Sequence, residues 1–432
     1  MTSKPASNHH LDVSAKGFKH LVPTREALHV VIDQLPQKTV ETEDIPLSSA
    51  LDLVLAEDIF SPVDVPSFNR AAMDGFAVRA QDTYSASASS PILLKSVNEE
   101  SIAKSAGLTK GETVSIVTGG PMPLGADAVV MIEYVKVSVQ GTVEVSTEVH
   151  PAENVSCVGE DLRKGTLVLK KGQRLLPQDL GMLTYLGFNR VKVVRKLKVA
   201  VLSTGNEICD DPSAGFGKVP DVNRPTLLNA IRELGCEPVD LGIAVDEFDT
   251  IRGKLKQAIP NVDVILVTAG TSVGPRDIVP QVINELGKPG LLVHGVAMRP
   301  SMPTGLGIID GKPIVSLPGY PVSAYLAFLE FLPPLVAHLY GTRLLPRPTI
   351  KAKLERRVAG ILGSRTYVRV QVRERQGSAY VEPVSVSGAG ILSSLVRTNG
   401  FIIVPENVEG YEEGSTVDVE LFRPVEREDV HV

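Results

Sequence analysis

Carboxylates set beside turns of small residues are the parts of this chain best suited to chemistry on an anion. The richest such stretch is 263–277, DVILVTAGTSVGPRD. Residues 264–267 are an apolar, β-branched run with the character of a buried strand. They empty into small residues, among them Gly270, Ser272 and Gly274, which let a backbone approach a ligand closely. Ile278, Val282, Ile283 and Leu286 then recur at helical spacing. The turn therefore leads toward a helix N-terminus, where free N–H groups and the dipole favour an anion. Asp277 stands at that mouth. A carboxylate placed at an anion site implies a cation, and Mg2+, which takes oxygen ligands and shares them with phosphates, is the one predicted.

Other charged or small residues recur in loops of the same kind. Ser203-Thr204-Gly205-Asn206-Glu207, Met298-Arg299-Pro300 and Leu317-Pro318-Gly319-Tyr320-Pro321 each sit after or between apolar runs. Asp246 opens a helical pattern, and Asp74-Gly75 lies in DIFSPVDVPSFNRAAMDGFAV before a short strand. Each has a purely structural reading as well. Asp74 is a turn-forming residue, Asp277 an N-cap, Asp246 a helix N-terminal acid, Glu207 a solvated loop charge and Arg299 half of a surface ion pair. Thr118-Gly119-Gly120, with Pro121 and Pro123, reads as a stiff hairpin connection. No Ser/His/Asp or Cys/His arrangement is evident.

The elements that must position these residues follow from periodicity. Leu28, Val31, Ile32 and Leu35 predict a helix with Thr24 as N-cap, and 47–56 reads as a second short helix. Between 91 and 150, runs such as ILLKSV, ETVSIV, AVVMI, VKVSV and TVEVSTEV alternate, the pattern of a small all-β module. A helix from Pro177 to a C-terminal Gly187 follows. From 197 strand and helix patterns alternate to about 340, which predicts a doubly wound α/β domain whose ligands bind beyond the C-terminal ends of the strands. The four loops around Thr204, Gly270, Arg299 and Pro318 then share one edge. Beyond 343 the pattern is β again; Ser385, Ser387, Ser393 and Ser394 flank Gly388-Ala389-Gly390 and could touch a phosphate, with a plain loop the favoured reading. The domains predicted are a flexible tail, 1–20; a discontinuous helical and extended domain, 21–60 and 153–190; an inserted β-rich module, 61–152; the α/β domain, 191–342; and a C-terminal β domain, 343–432.

With 432 residues, 43% hydrophobic and 22% charged, the chain can bury several separate cores. Its net charge of −6 argues against a general nucleic-acid or anionic-membrane surface. Cys157, Cys209 and Cys236 are far apart and lack CxxC spacing, which suits a reducing cytoplasm. No run reads as a membrane span of roughly 18 apolar residues.

The motifs FNRAAMDGFAV, TGGPMPLGADAVV, LSTGNEI, TAGTSVGPRD, VAMRPSMPTG and LPGYPVSA, in this order, resemble those of the molybdopterin molybdenumtransferase family, of MoeA and gephyrin E-domain type. The resemblance covers about 22–422. It implies a MogA-like α/β domain and a reaction in which adenylylated molybdopterin and molybdate are the substrates, Mg2+ is used and AMP is released. By motif it implies that Asp74, Glu207 and Asp277 are catalytic and hold the metal. Thr118, Thr204, Gly205, Asp246, Gly270, Ser272, Gly274, Arg299, Pro318 and Pro321 would meet the substrates. It further implies a homodimer in which Asp74 comes from a second subunit, with a molybdopterin adenylyltransferase and molybdoenzyme apoproteins as partners.

One departure stands out. Many members carry Gly-Lys where this chain has Ser301-Met302, so Arg276 or Lys312 would have to supply the missing charge. Two other functions suit the same residues: adenylyl transfer to molybdopterin, and a binding or scaffold role without turnover.

Overall fold

The computed structural model describes residues 21–35, 40–98, 107–138, 141–211, 213, 215–269, 278–342, 346–384 and 388–427. The predicted tail, and Gly270, Ser272, Gly274, Arg276 and Asp277, lie outside the described residues. The chain divides into two compact units, one of 44–51 and 55–192, the other of 1–43, 52–54 and 193–432.

The unit built on 55–192 contains a six-stranded sheet in the order Ala128–Met131, Gly75–Val78, Glu112–Ile116, Ile92–Ser96, Thr142–Val145, Val135–Val137. Alternation of small and β-branched residues buries both of its faces. Phe76, Val78, Leu94, Val130 and Val143 pack on one side, and Ala77, Val114, Ile116 and Val129 on the other. Gly75 is required by close approach, because a Cβ there would lie 2.0 Å from the Val130 carbonyl oxygen. The loop holding Thr118 is not a hairpin connection. It crosses from Glu112–Ile116 to Ala128–Met131 over Gly75–Val78, which lies between them. The short helix expected over 47–56 is instead a 3-10 turn, Leu47–Ser49, and a two-residue strand, Val54–Leu55. The helix at Pro177–Tyr185 is as expected, with Gly187 in the left-handed region just beyond it.

In the second unit the α/β sheet runs Glu237–Ala244, Lys198–Thr204, Val264–Ala269, Lys312–Pro318, Gly305–Ile309, Pro289–His294. The first four strands are parallel and the last two pairings antiparallel. Val199, Val201, Val264 and Leu266 point to one core, shared with helices Asn223–Glu233 and Pro321–Tyr340. Ala200, Leu202, Ile265 and Val267 point to the other, shared with Phe248–Ala258 and Val279–Leu286. Helices cover both faces, so the domain is doubly wound. The first helix, Thr24–Ile32, packs on the same side as Pro321–Tyr340 through Ala27 and Val31. Thr24 is its first turn rather than its N-cap, which is Pro23, and Leu35 lies beyond its end.

Pro321–Tyr340 corrects the expectation that no run reaches membrane-span length. It has 20 residues, and an 18-residue window within it has mean hydropathy 1.5. Its apolar surface goes into the core, where Val322, Leu326, Phe331 and Leu335 are all buried, as expected of a helix that is apolar all round.

The C-terminal strands close on themselves. Arg365–Arg375 pairs with Ser378–Pro383 and with Gly400–Val404, and the ring is completed through Thr349–Leu354 and Thr416–Leu421. The result is a small β-barrel filled by Leu354, Val370, Val372, Ile402 and Val419, with no free edge within the ring. The strand Met298–Arg299, leaving the α/β sheet, pairs with Arg365 and Thr366 at the barrel's rim.

Candidate active site

The parallel register brings four strand ends level. Thr204 pairs with Ala244, Ser203 with Thr268, and Ala269 with Pro318, so the loops that follow leave from one edge. Beneath them the Thr268 hydroxyl donates to Ser203 Oγ at 3.1 Å, both groups buried. Gly205 turns the first loop. Its φ of +151° and a donated bond to the Ala244 carbonyl at 3.2 Å bring its backbone against the Glu207 carboxylate, whose oxygens lie 3.0 Å from where a Cβ would stand. Asn206 Oδ1 accepts the Asp246 N–H at 3.2 Å, which ties this loop to the next.

Glu207 and Asp246 form the acidic half of the site. Burial first, and then the Glu207 charge, push the Asp246 carboxyl above the usual range, only partly offset by the Asn206 and Thr204 contacts. Thr204 Oγ1 lies near enough to influence Asp246, yet it is buried and makes no hydrogen bond of normal geometry among the described residues. Two carboxylates under mutual repulsion beside an unsatisfied hydroxyl form an all-oxygen donor set suited to a hard cation.

The opposite half is basic, and its strongest member comes from the barrel. Pro318 ends its strand, Tyr320 precedes the long helix, and Pro321 is its first residue. Asn223 Nδ2 donates to the Gly319 carbonyl at 2.7 Å. A barrel loop packs on this turn: Val322 N–H donates to the Ala389 carbonyl at 3.0 Å, and Gly390 lies so close to Tyr320 that a Cβ would fall 3.3 Å from its ring. Behind that loop Arg369 Nη1 donates to Ser394 Oγ at 2.6 Å, and burial lowers its pKa. Arg369 is not singled out in the sequence, and Ser394 reads there as part of a plain loop. One lies mid-strand in an alternating run, the other in a four-residue helix, and only tertiary packing joins them to the Pro318 loop. Arg299 is exposed on the adjoining strand, with no ion pair among the described residues.

Lys312 cannot replace the missing charge near Met302. It begins the strand that Pro318 ends, about 20 Å away at roughly 3.3 Å per residue, and its ammonium donates to the Ile259 carbonyl at the opposite edge.

Asp74 lies in the other unit, exposed and held by two bonds. The Thr118 N–H and hydroxyl both donate to Oδ1, each at 2.7 Å, and together they keep the carboxyl below its usual range. Among the described residues no three His, Cys, Asp or Glu side chains converge as a metal cluster.

A doubly wound sheet with small-residue loops, a carboxylate pair and an arginine at its C-terminal edge defines an α/β protein built to hold an anionic ligand. Residues 200–338 match the description "Probable molybdopterin binding domain", 22–187 the "MoeA N-terminal region (domain I and II)" and 351–422 the "MoeA C-terminal region (domain IV)". A putative molybdopterin biosynthesis protein of Methanocaldococcus jannaschii is 38% identical over 94% of this chain and 100% of its own. The molybdopterin molybdenumtransferase of Haemophilus influenzae is 33% identical over 92% and 98%. The crystal structure of a molybdopterin biosynthesis MoeA protein from Pyrococcus horikoshii aligns with a TM-score of 0.80 at 33% identity, covering 93% of this chain and all of that one. The chain belongs to the MoeA family.

Proposed function

We propose that this protein is a molybdopterin molybdenumtransferase of molybdenum cofactor biosynthesis, taking adenylylated molybdopterin and molybdate and releasing AMP. The observation that carries the reading is the pairing, at one sheet edge, of the Glu207–Asp246 carboxylates with the Arg369–Ser394 contact packed behind the Pro318 turn. Breaking a phosphoanhydride needs positioning and charge neutralisation more than a protein nucleophile.

Mg2+ fits the acidic half. Glu207 and Asp246 would hold it with Thr204 Oγ1 nearby, and Asp277 stays a further ligand on motif alone. When bound, the cation supplies charge neutralisation for phosphate oxygens. Arg369, with Ser394 orienting it, and Arg299 hold the oxyanion. Gly205, Pro318 and Pro321 keep the loop backbones rigid and close. Asp74, kept ionised by Thr118, serves as a ligand and not as a general acid. We assign it to the site of a second copy in a homodimer, with an adenylyltransferase before and apo-molybdoenzymes after the reaction. Cys157, Cys209 and Cys236, all free thiols, support a cytoplasmic setting.

The reaction is tested by coupling: protein, adenylylated molybdopterin, molybdate and Mg2+ are incubated with a molybdenum-free molybdoenzyme. Recovery of that enzyme's activity that depends on this protein supports the reading, and recovery equal to the protein-free control refutes it.

A further inference from the structure

Away from the sheet edge, the second unit contains a cleft of about 890 Å3 between the first turn of the Thr24–Ile32 helix, the middle of Pro321–Tyr340 and the barrel rim near Phe422. That volume is in the upper range of small-molecule sites. Its wall carries the half-buried ring of Tyr325, which lies parallel to the buried Phe328, 4° between planes and 6.4 Å between centroids. Prolines 333, 334, 346, 348 and 424 stiffen the sides.

Two residues that line this cleft each carry an unsatisfied polar atom. Thr24 Oγ1 is buried, the residue 1% exposed, with no hydrogen-bond partner among the described residues. Arg365 Nε lies 3.5 Å from Glu330 Oε1, near enough for ion pairing, but it makes no hydrogen bond. A buried polar atom without a partner costs about 1–3 kcal/mol, so an acceptor that reaches it gains correspondingly. Thr24 is also the first residue of its helix, where leading N–H groups lack intrahelical acceptors and the dipole favours negative charge. Exposed Arg25 follows on the same turn and lines the cleft.

We propose that this cleft is a second ligand site, binding a small aromatic carboxylate with its ring on Tyr325 and its carboxylate at Thr24 and Arg25. The ring's flat face suits parallel stacking, and the carboxylate supplies the acceptors that Thr24 and the helix start lack.

The test is calorimetric titration of the full-length protein with 2-naphthoate and with the neutral, isosteric 2-naphthamide. Saturable binding of one naphthoate per chain, at least about tenfold tighter than the amide, is expected. Thr24→Val should weaken it by a similar factor while leaving the free protein no less stable, because it removes an unsatisfied hydroxyl. Arg25→Gln, at an exposed position that folding tolerates, should also weaken it, and Glu207→Gln should not. No saturable binding, equal affinity for the amide, or affinity unchanged in Arg25→Gln would overturn the site.

Discussion

Thr118 holds Asp74 by a single carboxylate oxygen, its N–H and its hydroxyl each donating to Oδ1 at 2.7 Å. A carboxylate gripped this way is aimed and kept charged, and Oδ2 has no bond to any described residue. Asp74→Asn is therefore expected to abolish turnover with the circular dichroism spectrum unchanged. Thr118→Val keeps the N–H bond and loses the hydroxyl, so the Asp74 pKa should rise and the acid limb of the rate profile should move to higher pH. NMR titration of the Asp74 carboxyl carbon checks the first shift, and an unmoved pKa would remove Thr118 from its role.

Asp246 provides a test of the acidic pair. Its folded-state pKa is raised, so the native protein binds more protons there than the unfolded chain does. Its contribution to stability therefore falls as pH rises from about 3.9, the unfolded value, through the folded one. Glu207→Gln removes the like charge and should lower the Asp246 pKa and raise the melting temperature at neutral pH, while weakening Mg2+ binding. Mg2+ should itself raise the wild-type melting temperature more than that of Glu207→Gln.

Arg369 is predicted to act on the oxyanion. Arg369→Gln should raise the molybdate concentration needed for half-maximal turnover by about tenfold or more, on the basis that charge-assisted bonds contribute roughly 1.5–3 kcal/mol. Ser394→Ala should give a smaller rise in the same direction. Steady-state kinetics with molybdate varied would show either effect, and a change confined to the adenylylated substrate would place Arg369 elsewhere.

At the opposite edge of the sheet, Arg195 binds Asp263 through two bonds, 2.7 and 2.8 Å, and the Lys198 N–H donates to the same carboxylate. Burial alone would raise the Asp263 pKa, but these bonds outweigh it and lower it. The stability it contributes is present above the unfolded value near 3.9 and is lost as pH falls through the folded pKa. Asp263→Asn should cost about 2 kcal/mol at neutral pH, less than a fully buried pair would, and the loss should shrink on acidification in urea-unfolding curves.

Much of this could be read from the sequence because period and punctuation agreed: the strand–helix alternation from 198 to 340 and the Asp74-Gly75 turn are local signals. What was missed depended on contacts across the fold. The strand Gly305–Ile309 has all five residues buried, so it shows no alternation, and Gly307 is required because a Cβ would lie 2.5 Å from the Gly290 carbonyl oxygen. Thr118 looked like a hairpin residue because nothing local shows that Gly75–Val78 runs between the strands it joins. Arg369 and Ser394 carried no motif of their own and reach the Pro318 turn only through the barrel loop at Ala389. Lys312 is ruled out for the anion by the direction of its strand, which sets it at the far edge.

The most direct measurement is AMP release from adenylylated molybdopterin by the purified protein with Mg2+, with and without molybdate. Release that requires molybdate, is lost in Glu207→Gln and Asp74→Asn, and returns when those two variants are mixed and allowed to exchange subunits is the result predicted, since in the proposed dimer each heterodimer carries one intact site. Release independent of molybdate, or unaffected by both substitutions, would contradict a molybdenum transfer carried out at this edge.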